Sequence, residues 1–157
     1  MGLVLREAGM ADAELLWRWA NDRATRQNSF SKAAIPYADH VAWLERRLAS
    51  DATRTWIFSD AEVPIGQVRF DVSGEIAEVG ITVAPEQRGR GYARAMLRQA
   101  VRRLREERGH RVRPRASVLA RNAASLRLFK ACGFEEVATA RRDGEPVIVL
   151  DLAGMIS

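Results

Sequence analysis

Polar and apolar residues alternate along several stretches of the chain, and this period of two predicts β-strands. The predicted strands span residues 3–7, 55–59, 65–71, 76–83, 112–118, 135–141 and 146–152. Two turn signals, Ser73-Gly74 and Asp143-Gly144, separate neighbouring strands and predict hairpins. Pro114 cannot donate a backbone hydrogen bond, so we expect a bulge or an edge position in the 112–118 strand.

In other segments apolar residues recur every three or four positions, which predicts amphipathic helices. Four are predicted: one after a cap at Asp12, two spanning 37–49 and 91–107, and one after a cap at Asn122. The polar stretch 21–34 lacks this period and is predicted to be irregular. The order β-α-α-β-β-β-α-β-α-β-β predicts a single-domain α/β (α+β) fold over residues 1–157. Its sheet is mixed, mostly antiparallel and of about seven strands.

The composition is globular: 157 residues, of which 47% are hydrophobic and 29% charged, with a net charge of +5. No apolar stretch approaches the ~20 residues of a membrane span. The N-terminus also lacks the pattern of a secretory signal, so we expect a cytoplasmic protein without a membrane partner. The single cysteine, Cys132, is interpreted as a helix-end packing residue.

Much of the positive charge lies on the predicted 91–107 helix, where arginines recur every four residues from Arg90 to Arg102. From Arg98 onward we interpret them as a solvated helix face. Attraction for RNA is the alternative, but aromatic residues are missing from this helix after Tyr92, which does not favour a nucleic-acid partner. A homodimer remains open.

A loop rich in Arg and Gly links the 76–83 strand to the 91–107 helix and suits a bound phosphate. Gly89 and Gly91 let backbone N–H groups turn toward an anion, and the helix start adds partial positive charge. Arg88 and Arg90 add full charges. No Gly-Lys-Ser/Thr follows, so the loop is not a P-loop, and Arg94 replaces the third glycine of a dinucleotide fingerprint.

Two motifs resemble the signatures of the GCN5-related N-acetyltransferase (GNAT) family. The run Gln87 to Ala93 is similar to Gln/Arg-x-x-Gly-x-Gly/Ala, where that family holds the pyrophosphate of acetyl-CoA. The segment Asn122 to Phe134 is similar to Asn-x-x-Ala/Ser-x-x-Leu-Tyr-x-x-x-Gly-Phe. An ordinary Gly-rich loop or a well-capped helix accounts for either motif alone, but their order and separation favour the family. The resemblance implies the acetyltransferase fold and an acyl-CoA-dependent N-acetyltransferase with acetyl-CoA as cosubstrate and no metal.

The resemblance also implies where acetyl-CoA binds. Pantetheine lies where the strand before the phosphate loop splays from its neighbour, and a backbone N–H there can stabilise charge on the thioester oxygen, worth ~3–4 kcal/mol. The implied cofactor-binding residues are Ile81, Thr82, Val83, Gln87, Arg88, Gly89, Arg90, Gly91, Tyr92, Ala93, Asn122, Ser125 and Phe129.

Glu78 is the candidate catalytic base. Strand alternation puts it on the face that carries Gly80 and Thr82, away from the core set that includes Ala77 and Val79. A carboxylate there can accept a proton from an incoming amine, directly or through water. The structural alternative is a cross-strand ion pair, for instance with Arg69.

The second motif departs from the family at one position. Phe129 stands where the family often has a tyrosine, proposed to protonate the departing thiolate. Tyr92 and Tyr37 are weaker candidates for that role. A thiol with a pKa near ~8.5 also leaves without a proton donor, so the departure does not exclude activity.

The acceptor site is expected in the first third of the chain, which concentrates aromatic, amide and basic residues. The candidate substrate-binding residues are Trp17, Asn21, Arg26, Asn28, Phe30, His40 and Trp43. The segment looks similar to two branches of the family, which acetylate nucleotide-linked amino sugars or N-terminal amines of ribosomal proteins. We favour the amino sugar. Trp19 is expected in the core and His40 at the surface, and a non-catalytic acyl-CoA-binding or RNA-binding module stays open.

Overall fold

The computed structural model describes residues 2–157, and one seven-stranded sheet organises them. The strands are β1 (Leu3–Glu7), β2 (Thr53–Asp60), β3 (Val63–Ser73), β4 (Ile76–Val83), β5 (Arg113–Leu119), β6 (Glu135–Arg142) and β7 (Glu145–Asp151). Their order in the sheet is β1-β2-β3-β4-β5-β7-β6. Every neighbouring pair is antiparallel except β4 and β5, which are parallel. The predicted mixed, mostly antiparallel sheet is confirmed.

Five α-helices accompany the sheet: α1 (Ala13–Ala20), α2 (Arg23–Gln27), α3 (Tyr37–Leu48), α4 (Tyr92–Arg108) and α5 (Ala123–Ala131). The prediction that 21–34 is irregular is wrong, because α2 lies within it. Asp22 caps α2 by accepting a hydrogen bond from the Thr25 N–H at 3.2 Å. No residue of α2 is buried, so the helix has no apolar stripe for a periodicity argument to detect.

Side chains pack on both faces of the sheet. Trp56 and Phe58 of β2 belong to the larger core, which includes α4 and α5. The residue between them, Ile57, belongs to a second core with α1 and α3. Since alternate strand residues face opposite sides, the two cores lie on opposite faces. Trp19 is buried in the second core, as expected.

Two local predictions need correction. The strand that carries Pro114, β5, is not an edge strand, because it lies inside the sheet between β4 and β7. Its register with both neighbours is regular, without a bulge. Pro114 is tolerated because β7 begins its pairing one residue later, at Arg115, so the missing donor leaves no gap in that ladder. The Asp12 side chain accepts from the Gly9 N–H at 2.8 Å and so caps the 3₁₀ turn Met10–Asp12 before α1, not α1 itself.

The turn and cap residues of the C-terminal half behave as predicted. Asn122 caps α5 by accepting from the Ser125 N–H at 3.3 Å, and Gly133 after the helix has φ 98°. Cys132 is fully buried at the helix end, and burial raises the pKa of its thiol. Asp143 and Gly144 both have positive φ, as a type I′ hairpin requires.

The arginines of α4 are only partly a solvated face. Arg98 donates from Nε to the Ser157 carbonyl at 2.7 Å, and Arg105 donates from Nη1 to the Gly154 carbonyl at 2.7 Å. Arg105 is buried, so the expectation of a solvated side chain is wrong there. The C-terminal segment lies across the helix and covers the long arginine stems.

One irregularity of the sheet positions the site. The parallel pairing of β4 with β5 consists of three rungs, and the last joins Glu78 to Arg115. Beyond Glu78 the strands part, although β4 stays paired with β3 as far as Val83. The free edge of β4 therefore faces a gap that opens toward the N-terminus of α4.

Candidate active site

A cleft of ≈ 1180 Å³ occupies this gap and continues toward α1, α2 and α3. Its lining includes Glu78 of β4, Arg88 and Ala93 around the start of α4, and His40 and Trp43 of α3. The predicted phosphate loop, the predicted base and part of the predicted acceptor site thus share one space. The cleft is large enough for a cosubstrate arm and an acceptor together.

The phosphate loop has the backbone that its sequence indicates. Gly89 and Gly91 have φ of 78° and 80°, values that side chains disfavour. A Cβ added to Gly89 would meet nothing within 4 Å, so φ, not space inside the protein, calls for glycine there. Gly91 is the N-cap of α4 and no side chain caps it, so the first N–H groups of the helix are left for an outside acceptor. These features fit a pyrophosphate.

Arg88 connects this loop to α2. Its Nη2 donates to Asp22 Oδ2 at 2.7 Å and to Thr25 Oγ1 at 3.2 Å. Burial raises the pKa of Asp22, but the hydrogen bonds from Arg88 and Thr25 and the charge of Arg88 together outweigh it, so the pKa lies below its usual value. The Arg88 side chain is 39% exposed and remains within reach of solvent, so an anion at the loop can compete for it.

Glu78 lies on the cleft face of β4, as alternation predicts. Its neighbours Ala77 and Val79 are buried in the larger core. In the register with β3, Glu78 is opposite Asp71, whereas Arg69 is opposite Gly80. Among residues 2–157 no ion pair within 4.0 Å includes Glu78, so its carboxylate is not held by Arg69.

The aromatic residues considered as proton donors have other partners. The Tyr92 hydroxyl donates to Asp60 Oδ2 at 2.7 Å, and this hydrogen bond raises the pKa of Tyr92. Tyr37 packs edge-on against Trp17 with ring centroids 5.2 Å apart. Phe129 is buried and lines the cleft, with its ring 5.1 Å from that of Phe134.

Three of the candidate acceptor residues use their polar atoms inside the protein. Trp17 Nε1 donates to the Ile35 carbonyl at 2.7 Å, and the Asn21 side chain bonds both backbone groups of Ile35. Arg26 donates to the carbonyls of Ala20, Ser31 and Ala33. Together they fix residues 22–35, a segment that we call the strap.

The far side of the strap is tied across the cleft. Arg121 donates from Nη2 to the Gln27 carbonyl at 2.5 Å and from Nη1 to Asn28 Oδ1 at 3.3 Å. The Arg142 guanidinium lies 4.2 Å from the ring centre of Phe30. Lys32 pairs with Glu145. The strap, which contains the candidate residues Asn28 and Phe30, thus roofs the cleft between α1 and the β6–β7 turn.

The remaining candidates, His40 and Trp43, lie on α3 at the far end of the cleft, with ring centroids 5.3 Å apart. The expectation of a surface position for His40 is wrong, because only 3% of it is exposed. Burial lowers the pKa of His40, and the charge of Arg69 lowers it further. Sequence reasoning considered Arg69 only as an ion-pair partner of Glu78 and missed it as a substrate-binding candidate. Strand alternation places Arg69 on the same face as Gln67, and both line the cleft.

Comparison with known proteins identifies the family. The profile of the acetyltransferase (GNAT) domain matches residues 2–135. The chain belongs to the GNAT acetyltransferase family. The prediction of an acyl-CoA-dependent GNAT acetyltransferase that acts on amines is confirmed, and acetyl-CoA is the cosubstrate of this family. Sequence comparison with curated proteins gives no match.

Solved structures share the GNAT fold over nearly the whole chain. Spermidine N-acetyltransferase from Vibrio cholerae, in complex with CoA and spermine, superposes with a TM-score of 0.80 at 20% identity over 95% of this chain and 94% of that one. Ribosomal-protein-alanine N-acetyltransferase from Brucella melitensis gives 0.79 at 24%, over 94% and 98%. The yncA protein from Salmonella typhimurium, with its cofactor acetyl-CoA, gives 0.78 at 20%, over 97% and 94%. At these identities the likeness establishes the fold.

Two further observations concern residues 2–157. None of the helices there is long and apolar enough to cross a membrane. No group of three or more His, Cys, Asp or Glu side chains among them is placed to hold a metal ion.

Proposed function

We propose that this GNAT protein transfers an acetyl group from acetyl-CoA to the primary amine of a small molecule, preferably a nucleotide-linked amino sugar. The observation that carries the proposal is the position of Glu78. It is the last β4 residue paired with β5, it faces the cleft, and no ion pair within 4.0 Å holds it in the part of the chain that the structure describes. A carboxylate free to take a proton therefore stands at the mouth of the gap.

Acetyl-CoA supplies the activated acetyl group as a thioester. The residues of this chain hold and orient it. The N–H groups between Gly89 and Ala93 receive the pyrophosphate, with Arg88 beside them. The free edge of β4 from Ile81 to Val83 offers backbone groups to the pantetheine arm, and an N–H there can stabilise charge on the carbonyl oxygen. Glu78 takes the proton of the amine.

The strap supports a small acceptor over a protein. It crosses the cleft and is tied by Arg121 and Arg142 on the opposite side, so an extended polypeptide has little room beside it. Aromatic rings at Phe30 and Trp43 line the same space and suit a sugar ring. Acetylation of a ribosomal or other protein N-terminus is the second candidate, because the sequence of the strap also resembles that branch.

Release of free thiol from acetyl-CoA, followed with a panel of amines, tests the proposal. The panel contains nucleotide-linked amino sugars, ribosomal N-terminal peptides and polyamines. We expect the highest kcat/KM for an amino sugar. A preference for the peptides would establish the second candidate, and amine-independent or absent thiol release would overturn the transferase assignment.

A further inference from the structure

Arg69 places its guanidinium in the wall of the cleft. A Cβ built on Gly80 would lie 2.7 Å from Arg69 Cζ and 2.9 Å from its Nε, so the side chain lies flat over Gly80. The group is partly buried and lines the cleft. Among residues 2–157 it has no hydrogen bond and no ion pair within 4.0 Å. Its Cζ lies 6.0 Å from the ring centre of Trp43.

The surroundings of Arg69 leave its charge uncompensated. The charges of Arg47 and Arg26 oppose that of Arg69, while Asp71 favours it, and burial together with these cations lowers the pKa of Arg69. Asp71 is committed to Arg47, whose Nη1 lies 2.5 Å from Oδ1. Arg47 and Arg26 both donate hydrogen bonds to oxygen atoms of the protein. An unpaired, partly desolvated charge is costly, so its retention points to an outside anion.

A second group in the same corner lacks a partner. His40 is 3% exposed, and its buried Nε2 has no hydrogen-bond partner among residues 2–157. A buried polar atom without a hydrogen bond is destabilising, and a bound ligand can satisfy it. His40 and Arg69 both border Trp43, at ring-to-ring and guanidinium-to-ring distances of 5.3 and 6.0 Å. Two unsatisfied polar groups therefore flank one aromatic ring in the cleft.

We propose that Arg69 and His40 form an anion subsite, and that the acceptor amine carries a phosphate or carboxylate group that binds there. The inference rests on the proposed function and narrows its substrate class. An anionic acceptor would complete the hydrogen bonds of Arg69, whereas a polyamine would meet a like charge. The subsite thus separates this chain from acetyltransferases that accept polycations.

The register between β3 and β4 gives the distance between the amine and the anionic group of the bound acceptor. Arg69 covers Gly80, which is two residues from Glu78 on the same face of β4, and two strand residues cover about 7 Å. An acceptor with its amine at Glu78 and its anion at Arg69 must bridge a distance of that order. This exceeds the amine-to-carboxylate separation within an α-amino acid and suits groups on opposite sides of a sugar ring.

Matched acceptors test the subsite. The pairs are glucosamine 6-phosphate with glucosamine, and 5-aminopentanoate with pentylamine, and spermidine serves as the polycation. We expect the wild-type protein to show kcat/KM at least about tenfold higher for the anionic member of one pair. The phosphate and carboxylate arms identify the source of the anion. Equal rates within both pairs, or a preference for spermidine, would overturn the subsite.

Variants of Arg69 test whether this side chain causes the preference for the anionic acceptor. Arg69→Gln should lower the ratio within the preferred pair by about tenfold, and Arg69→Lys should retain part of it. Arg102→Gln, on the exposed face of α4, removes the same charge away from the cleft and should leave the ratio unchanged. A ratio that persists in Arg69→Gln would contradict the proposal.

Two controls keep the outcomes distinct. Thermal unfolding verifies that Arg69→Gln is folded, and calorimetric titration of its CoA complex with glucosamine 6-phosphate or 5-aminopentanoate, whichever the wild type prefers, reports binding even when turnover is slow. Unchanged affinity in the folded variant would count against the subsite. Wild-type protein that releases no thiol with any amine would contradict the proposed function, whereas release without discrimination within a pair would contradict the subsite alone.

Discussion

Glu78 and Arg115 are Cα partners on the last rung between the two parallel strands of the sheet. Arg115 is bound in turn to Asp151, with Nε–Oδ1 and Nη2–Oδ2 distances of 2.7 and 3.0 Å. The rung is therefore fixed from the β7 side while the β4 side faces the cleft. Glu78 thus has a rigid backbone and a free carboxylate at the point where the strands part.

Replacement of Glu78 tests its role as the base. We expect Glu78→Gln to lower kcat by about 10²–10⁴-fold, because the amide cannot accept the proton of the amine. The pH profile of kcat should change as well, because the variant has lost its proton acceptor. The matched control is Glu75→Gln, which changes an exposed carboxylate in the turn between β3 and β4. An unchanged pH profile in Glu78→Gln would retire the assignment.

Two glycines with positive φ separate stability from binding. Gly89 in the phosphate loop and Gly109 after α4 have φ of 78° and 84°, and a Cβ on either meets nothing within 4 Å. Alanine at each should cost about 1–3 kcal/mol of folding free energy, since side chains disfavour positive φ, and the larger cost is expected at Gly109, whose ψ of 172° lies in a region that glycine almost alone adopts. Only Gly89→Ala should weaken CoA binding in calorimetry, by about tenfold. Equal CoA affinities in the two variants would place the phosphates elsewhere.

We expect the strap to affect the KM of the acceptor more than the affinity for CoA. Arg121 bonds Gln27 and Asn28 of the strap and Glu145 beside it. Arg121→Gln should therefore raise the KM of the acceptor several-fold and leave the Kd of CoA within about twofold. Arg127→Gln, an exposed residue of α5, removes the same charge as a control. A change in CoA affinity equal to that in acceptor KM would show that the strap does not act on the acceptor end.

The ionisation of Asp151 should make the stability of the fold depend on pH. It is 4% exposed, and hydrogen bonds from Arg115 hold its pKa below the usual range. Because the folded pKa lies below the unfolded value of about 3.9, the ionised carboxylate stabilises the fold above that pH. The contribution is lost as the pH falls through the folded pKa.

Asp151→Asn should lower the free energy of unfolding at pH 7 by about 1–3 kcal/mol, since its arginine partners are partly exposed. Urea unfolding measures the difference, which should shrink below about pH 4. Asp143→Asn, in the exposed hairpin turn, should stay within about 0.5 kcal/mol at either pH. A difference that is constant with pH would exclude the carboxylate charge as its source.

The elements with strong local signals were predictable from the sequence. Alternation defines the bounds of β4, and the cap at Asn122 with the left-handed Gly133 frames α5. The short helix α2 was missed because it buries nothing, so its register leaves no apolar period. The edge position predicted from Pro114 is wrong. A proline is tolerated in an interior strand when the neighbouring strand, here β7, begins its pairing only after the proline.

The site was less predictable at its acceptor end. The phosphate loop lies in one continuous segment, so its chemistry is readable locally. The positions of His40 and Arg69 depend on packing between α3 and β3, which are separated in the chain by the strand β2. That Arg69 has no partner among residues 2–157 depends on the folded structure, because Asp71, its charged neighbour in sequence, is bound to Arg47 instead.

A crystal structure with CoA shows directly whether the gap beyond Glu78 receives the cosubstrate. We expect pyrophosphate oxygens within hydrogen-bond distance of the N–H groups between Gly89 and Ala93, and pantetheine along the free edge of β4 from Ile81 to Val83. CoA bound at another surface, with the space between β4 and β5 empty at saturating CoA, would contradict this expectation.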